Sequence, residues 1–477
     1  MANSSRDPYW QASVRRETMD HPGSAREIQD ECSVCHMPLA RTQARAQGRL
    51  GEIFSHLPIG RGTRPENLFA YDGVSCTICH QITDQNFGTP ASFTGGYSIK
   101  PGIIFGPFAI DKGLTTVMHS ASDSRPTEAP HVRQSELCAT CHTLITRARG
   151  PNGAVIGELP EQVMYLEWAN SAFRTEQKSC QSCHMPAVEE ETPIASVLGQ
   201  PRKGFARHVF VGGNAFVLRM LNRYRRELGV VALPHELDAS IARTSASLAS
   251  TAAAVSIDRV DLSDGRLAVD VTVRNLIGHK LPTGYPSRRA WLHLTVRDRS
   301  GHVVFASGAL GDGGRIEGNA NDADATTFEP HYTEIRQPDQ VQIYESIMGD
   351  STGAPTTGLL TGVRYLKDNR LLPRGFDQAS AEANVATVGD AAQDPDFTGG
   401  ADRVRYSLPA SGEGPYRVDV ELRFQSIGFR WADNLRTYDA PEPKKFLALY
   451  DSMSSSSSEV LSRASASTAA PRTPGSP

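Results

Sequence analysis

The chain has 477 residues and a formal net charge of −4, with hydrophobic residues at 39% and aromatic residues at only 7% of its composition. This length exceeds one ordinary hydrophobic core and predicts two or three domains. The charge does not indicate a nucleic acid or an anionic membrane surface as a partner. The chain also lacks an apolar run of about 18 residues, so the sequence predicts no transmembrane helix.

The first half predicts helices separated by irregular segments. Residues 8–31 predict a helical region that breaks at Pro22 and Gly23, and residues 41–50 predict an exposed basic helix. Residues 84–115 are rich in Gly, Pro, Phe and Ile without a helical period, which predicts a long loop. Residues 158–178 again predict a helix.

The second half changes from helical to strand periodicity. Residues 214–228 and 236–254 predict two further helices. Alternation of apolar and polar residues then predicts strands, at 267–274, 290–297 and 416–424. The end of the chain is dominated by Ser, Ala, Thr and Pro, which predicts disorder.

These patterns predict an α+β multidomain protein. The domains would be a mostly helical and irregular N-terminal domain over 1–205, a helical connector over 206–254, an all-β, sandwich-like domain over 255–450, and a disordered tail over 451–477.

All 8 cysteines lie in four C-x-x-C-H motifs within the first domain. The motifs are Cys32, Cys35 and His36; Cys76, Cys79 and His80; Cys138, Cys141 and His142; and Cys180, Cys183 and His184. This pattern is the signature of a covalently attached c-type haem, whose vinyl groups bond to the two thiols while the adjacent histidine ligates the iron. Zinc sites also use C-x-x-C, and disulfides are a further alternative, but neither requires a histidine after every pair. The motifs therefore favour four c-type haems, packed closely enough to form the core of this domain.

The second axial ligand of each iron must come from elsewhere in the chain. Of the 14 histidines, four belong to the motifs, which leaves ten, so bis-histidine ligation is favoured over methionine. The candidate distal ligands are His208, His119, His131, His21, His279 and His56. His208 precedes a Gly-Gly pair that allows a close backbone approach, and His279 lies in a tight loop between predicted strands from which it could reach a haem. The alternative for each candidate is a surface or hydrogen-bonding histidine.

The chain resembles the multihaem cytochrome c family, the electron-transfer cytochromes of nitrifying, metal-reducing and related bacteria. The resemblance is carried by residues 30–38, 71–80, 135–142 and 181–186 around the motifs, and by 207–214, 278–291 and 367–373 beyond them. Relatives of this kind pair a haem domain with a C-terminal β domain. In similar proteins, a segment like residues 1–10 lies inside the chain. The expectation is therefore an upstream signal peptide and a further C-x-x-C-H motif.

The resemblance implies a periplasmic or extracellular electron carrier. Its partners would be other cytochromes or a reductase, and its β domain would contact a partner, a surface or a polysaccharide. Two alternatives stay open: an oxidoreductase that reduces nitrite, tetrathionate or a similar small oxyanion at one haem with an open face, and a binding module in which the β domain does the main work.

Overall fold

The structure, a computed structural model, describes residues 1–60, 65–109, 112–193, 195 and 199–468. Its N-terminal part begins with five short helices: α1 (Pro8–Asp20), α2 (Ala25–His36), α3 (Pro38–Ala46), α4 (Pro65–Tyr71) and α5 (Cys76–Gln81). The Asp7 carboxylate accepts the N–H groups of Tyr9 and Trp10 and caps α1, which has Pro8 in its first turn. The predicted helical region over 8–31, with its break at Pro22 and Gly23, is confirmed as α1 and α2.

The middle of the chain combines short strands and helices. These are β1 (Ile103–Gly106), α6 (Lys112–Ser122), β2 (Arg125–Glu128), α7 (Ser135–His142), β3 (Thr143–Arg149), β4 (Val155–Val163), α8 (Met164–Ala169), α9 (Ala172–Thr175), α10 (Cys180–His184), β5 (Thr192–Pro193) and β6 (Pro201–Arg202). Strands β1 and β2 pair in parallel, whereas β3 with β4 and β5 with β6 are antiparallel.

The helix predicted over 158–178 is wrong in its first part, where β4 continues to Val163. Burial there alternates, with Leu159, Glu161 and Val163 inside, which is the period of a strand. Glu161 points inward because Thr146 on β3 donates a hydrogen bond to its carboxylate at 2.5 Å. A glutamate is not expected to be a core residue, so the alternation of buried and exposed residues along β4 could not be recognised in the sequence.

Two helices connect the halves, as predicted. They are α11 (Ala215–Arg223), capped by the side chain of Asn214, and α12 (Pro234–Ser247). The buried face of α11 packs with α1 and with a helix near the end of the chain, in a cluster that includes Tyr9, Phe216, Met220 and Phe446. The connector is therefore part of a core that joins the two halves.

The second half contains most of the strands. These are β7 (Ala253–Ser263), β8 (Arg266–Asn275), β9 (Arg289–Arg297), β10 (Val303–Ser307), β11 (Glu334–Ile335), β12 (Ile343–Gly349), β13 (Pro355–Thr356), β14 (Arg364–Asp368), β15 (Ala401–Pro409), β16 (Arg417–Gln425) and β17 (Ser458–Ser467). Helices α13 (Ala320–Ala323), α14 (Phe429–Asp433) and α15 (Pro441–Asp451) lie between them. The predicted strands over 267–274, 290–297 and 416–424 are confirmed as β8, β9 and β16.

These strands form two sheets with a common core. In one sheet the order is β13-β12-β9-β16-β17, with β10 on β9 and β14 on β12, and in the other it is β11-β15-β8-β7. Inward residues of β8 and β15, such as Val271 and Tyr406, pack with Leu292 and Val420 of the first sheet. The α+β fold class and the sandwich-like second half are confirmed.

The predicted disorder of residues 451–477 is wrong as far as residue 468. Strand β17 pairs antiparallel with β16 along its length, and Leu461 is only 1% exposed in the sandwich core. Serine and alanine dominate this strand because its outer face is polar, as in the hydrogen bond from Ser465 to Asp419. Residues 469–477 lie outside the described part of the chain.

Helix α1 joins the N-terminal part to the C-terminal half. Tyr9 packs against Phe446 of α15 with ring centroids 5.1 Å apart, and Arg15 forms a 2.7 Å ion pair with Glu442. Among the described residues, none of the helices has the length and apolar character required to cross a membrane.

We expect Leu461→Ala to lower the free energy of unfolding by about 2–5 kcal/mol, because it opens a cavity in the sandwich core. The matched control is Leu262→Ala on β7, where the side chain is 45% exposed and the change should stay within about 0.5 kcal/mol. Urea denaturation measures both. Equal, small effects would contradict the placement of β17 in the core.

Candidate cofactor-binding site

The four C-x-x-C-H motifs adopt the same local structure. Each occupies the last turn of a short helix, at the ends of α2, α5, α7 and α10. Residues i, i+3 and i+4 share one face of a helix, so each motif presents two thiols and an imidazole on the same side. All eight thiols are free. This is the geometry required to hold one porphyrin by two thioether bonds and one iron ligand.

Backbone carbonyls orient three of the four motif histidines. His80 Nδ1 lies 2.6 Å from the Phe105 carbonyl, His184 Nδ1 lies 2.5 Å from the Val211 carbonyl, and His36 Nδ1 lies 3.3 Å from the Ser4 carbonyl. A carbonyl can only accept, so Nδ1 carries the proton and Nε2 keeps its lone pair free for a metal.

His36 and His142 differ from the other two motif histidines in their surroundings. The indole of Trp10 stacks on the His36 ring at 4.4 Å with parallel planes. His142 Nδ1 is buried and has no hydrogen-bond partner among the described residues.

The motifs lie against one another. The Cys141 thiol lies close enough to Cys35 to raise the pKa of that thiol, and the Cys180 thiol does the same for Cys138. Burial and, after it, the nearby Cys141 thiol raise the pKa of Cys79 to about 11. The third motif is therefore adjacent to the other three.

Several side chains at the centre of this cluster are desolvated but not fully covered. Burial lowers the pKa of His36, His142 and His279 to about 4 each, and burial also lowers the pKa of Arg288 to about 10. All four nevertheless keep intermediate accessible surface. Side chains that are deep in a fold but still accessible line interior space, which is what a bulky prosthetic group needs.

Two of the motif histidines face a second histidine. The ring centroids of His80 and His208 are 6.1 Å apart with planes at 29°, and those of His184 and His279 are 6.3 Å apart with planes at 11°. Two imidazoles on opposite sides of one metal ion, with metal–nitrogen bonds of about 2.0 Å and about 1.2 Å from nitrogen to ring centre, have centroids about 6.4 Å apart. Both pairs therefore have the spacing of axial ligands to one iron.

The two partner histidines also have the correct nitrogen free. His208 Nδ1 lies 3.1 Å from the Ala206 carbonyl and His279 Nδ1 lies 3.0 Å from the Lys280 carbonyl. Their Nε2 atoms therefore carry lone pairs, as metal ligation requires. The residues present fit a haem iron at both pairs.

The other four candidate histidines do not form such pairs among the described residues. His131 is buried and its Nε2 lies 2.9 Å from the Ile82 carbonyl, a hydrogen bond that occupies this nitrogen. His119 on α6 is partly exposed, with Nδ1 3.8 Å from Asp123. His56 Nδ1 lies 2.8 Å from the side-chain oxygen of Asn67. His21 has a buried Nε2 with no hydrogen-bond partner in the described part of the chain.

Sequence reasoning missed a buried histidine in the β domain. His331, which is not among the candidate ligands named from the sequence, lies beside Asp394 and Asp402 with one potential ligand atom of each within 4.8 Å of the others. Its Nε2 is 3.0 Å from Asp394 and 3.8 Å from Asp402. This trio has the residue types of a metal site.

The hydrogen bonds around His331 assign it another role. Its Nδ1 accepts from the amides of Gln342 at 2.8 Å and Asn369 at 3.1 Å. Both amides are held in this orientation because their oxygens accept backbone N–H groups, of Tyr332 and Glu345 respectively. Nε2 must then carry the proton and donate to Asp394, so no lone pair is free for a metal. His331 is a hydrogen-bonding residue of the sandwich interior.

Of three comparisons with known proteins, the comparison with solved structures gives a match. No family model and no curated protein matches this chain. A solved structure, the penta-haem cytochrome c552 from Thermochromatium tepidum, superposes with a TM-score of 0.50 at 16% sequence identity, over 92% of this chain and 83% of that one. The two proteins therefore share a fold.

We expect a chelator such as EDTA to leave the melting temperature unchanged, because His331 has no lone pair to offer a metal. His331→Leu should lower the free energy of unfolding by about 1–3 kcal/mol for each buried polar partner left without a hydrogen bond. Differential scanning calorimetry measures both. A melting temperature that falls with EDTA and recovers with added metal would contradict this assignment.

Proposed function

We propose that this protein is a c-type cytochrome that transfers electrons through four covalently bound haems. The observation that carries the proposal is the set of four motifs, each with two thiols and an imidazole on one helix face, two of whose histidines face a second imidazole at the separation of axial ligands. The haem supplies a reversible one-electron change at its iron.

The thiols of each motif would hold one haem: Cys32 and Cys35, Cys76 and Cys79, Cys138 and Cys141, and Cys180 and Cys183. His36, His80, His142 and His184 would be the proximal ligands, with His208 opposite His80 and His279 opposite His184. Two imidazole ligands exclude small molecules from the iron and favour a low reduction potential compared with methionine ligation. Such sites suit electron transfer better than catalysis.

The order of the relay follows from the contacts between motifs. Cys141 of the third motif lies near Cys35 of the first, and Cys138 of the third motif lies near Cys180 of the fourth, since each pair is close enough for one thiol to raise the pKa of the other. We propose that the third haem lies between the other haems of the relay. Short distances between neighbouring haems would allow stepwise electron transfer without a conformational change of the protein.

The haem chemistry also implies a location and partners. Thioether attachment takes place outside the cytoplasm, so we propose a periplasmic or extracellular protein. Other cytochromes or a reductase would exchange electrons with it.

One observation favours a second function, the reduction of a small oxyanion at the third haem. His142 faces no second imidazole among the described residues. The half-buried Arg288 is one of the nearby charges that, after burial and His184, lower the pKa of His142. The guanidinium donates to the Thr283 carbonyl at 2.7 Å and has further N–H groups available for an anion.

We expect the double variant Cys180→Ala, Cys183→Ala to carry one haem fewer than the wild type, because the fourth porphyrin loses both thioether bonds. The pyridine haemochrome assay and the mass of the intact protein measure the change. Ser182→Ala, between the two cysteines, is the matched control and should keep the full haem content. Equal haem content in all three proteins would contradict haem attachment at this motif.

We expect His208→Gly to open one additional iron to carbon monoxide, because it removes the imidazole opposite His80. The change in the spectrum of the dithionite-reduced protein on adding carbon monoxide measures this. His119→Ala is the matched control and should leave the carbon monoxide spectrum unchanged. An unchanged spectrum in His208→Gly would refute the assignment of His208.

A change already present in the wild type would mark an iron with an open face. If Arg288→Gln then alters the reduction of nitrite or tetrathionate, the second function is supported. A wild-type spectrum that does not change when carbon monoxide is added would exclude the second function.

A further inference from the structure

His279 belongs to the β domain but faces the fourth motif of the N-terminal domain. Its loop, residues 278–284, connects β8 to β9. The loop packs tightly on α9, since a Cβ atom at Gly278 would lie 2.9 Å from the ring of Phe173. Leu281 exchanges two 2.9 Å backbone hydrogen bonds with Leu371. The position of His279 is therefore set from both domains.

A single carboxylate, that of Glu167 on α8, is bonded to two points of this loop. One of its oxygens accepts the backbone N–H of Lys280 at 3.1 Å and the hydroxyl of Thr283 at 2.5 Å. The other oxygen accepts from the guanidinium of Arg370 at 2.9 Å. Glu167 is fully buried. It thus ties the residue directly after His279 to the N-terminal domain.

A second carboxylate completes the network. Asp368 accepts two hydrogen bonds from Arg370, at 2.7 and 2.8 Å, and one from Lys280 Nζ at 2.8 Å. Burial alone would raise the pKa of Asp368, but the two cations outweigh it and hold the pKa at about 2. The network contains two acidic and two basic side chains, so its formal charges cancel, and none of the four residues is more than 5% exposed.

A buried network of this kind is weak evidence for stability, because desolvation of the charges offsets most of their attraction. Such networks can instead fix one geometry, since a displaced partner leaves an unpaired buried charge, which is strongly unfavourable. The groups fixed here are the backbone N–H of Lys280 and the side chain of Thr283, which both follow His279 within the loop.

We propose that Glu167 is a positioning residue that holds His279 opposite His184, so that the β domain completes the iron site of the fourth motif. The inference rests on the proposed function. It makes the β domain part of one redox centre, because His279 of this domain would supply the sixth ligand of that iron. The iron of this haem would therefore lose its sixth ligand if the two domains separated.

The experiment compares Glu167→Gln with Asp322→Asn in the full-length holoprotein. The first variant places an amide N–H₂ group where three donors require an acceptor. The second breaks an equally buried ion pair, between Arg289 and Asp322 at 2.7 Å, that does not touch residues 278–284. The readouts are the spin state of the haems in the oxidised spectrum and carbon monoxide binding in the reduced one.

We expect Glu167→Gln to convert one haem to a high-spin, carbon monoxide-reactive form, and Asp322→Asn to leave all haems unchanged while it lowers the melting temperature. His279→Gly should give the same converted haem as Glu167→Gln, and added imidazole should restore its low-spin spectrum. If Glu167→Gln fails to fold, Thr283→Val provides the milder test, because it removes one of the bonds to Glu167 while keeping the side-chain shape.

The outcomes separate the claims. A lower melting temperature with an unchanged haem spectrum, in Glu167→Gln or in Thr283→Val, would overturn the positioning role. An unchanged spectrum in His279→Gly would overturn the ligand assignment and the inference with it. A wild-type protein matured in a competent host without bound haem would overturn the proposed function itself.

Discussion

The hydrogen bond between an imidazole Nδ1 and a backbone carbonyl is the constraint on which this site depends. It occurs at His80 and His184 in the motifs and at His208 and His279 opposite them. In each case the carbonyl can only accept, which leaves the Nε2 lone pair free for a metal. The direction of the Nε2 atoms follows from the local backbone, before any cofactor is considered.

The two halves of the chain differ in how their interiors are filled. The β sandwich has a continuous apolar core shared by its two sheets. The N-terminal part has a smaller cluster around Trp10, Ile28 and Ile53, and its eight cysteines are half-buried or exposed rather than part of a closed apolar core. A low aromatic content is compatible with this arrangement because flat apolar cofactors would replace side chains. The α1–α11–α15 cluster and the Glu167 network then hold the halves together.

The sequence predicted the features that depend on local pattern. The motif spacing was visible because i, i+3 and i+4 are close in the chain, and β8, β9 and β16 followed from strict alternation. Strand β4 was mistaken for a helix because Glu161 is an inward acid bonded to Thr146, and β17 was mistaken for disorder because its outer face is serine and alanine. Both errors arise from partners distant in the sequence. Such partners also decide which histidine faces which.

For the same reason, the sequence could name candidate distal ligands but could not tell which of them face a motif histidine. His131 is a candidate in the sequence, yet its Nε2 is hydrogen-bonded to the Ile82 carbonyl. His279 faces His184 because its loop is fixed by residues more than 80 positions away, such as Asp368. His331 carried no signal at all, since its partners Asp394 and Asp402 lie in a separate part of the chain.

Electron paramagnetic resonance of the oxidised holoprotein tests the central claim most directly. The imidazole planes of the two histidine pairs differ by 29° and 11°, and near-parallel axial imidazoles give rhombic low-spin ferric signals. The account predicts two such signals, one lost in His208→Gly and the other in His279→Gly. A spectrum with only high-spin ferric haem, or with no haem iron at all, would contradict it.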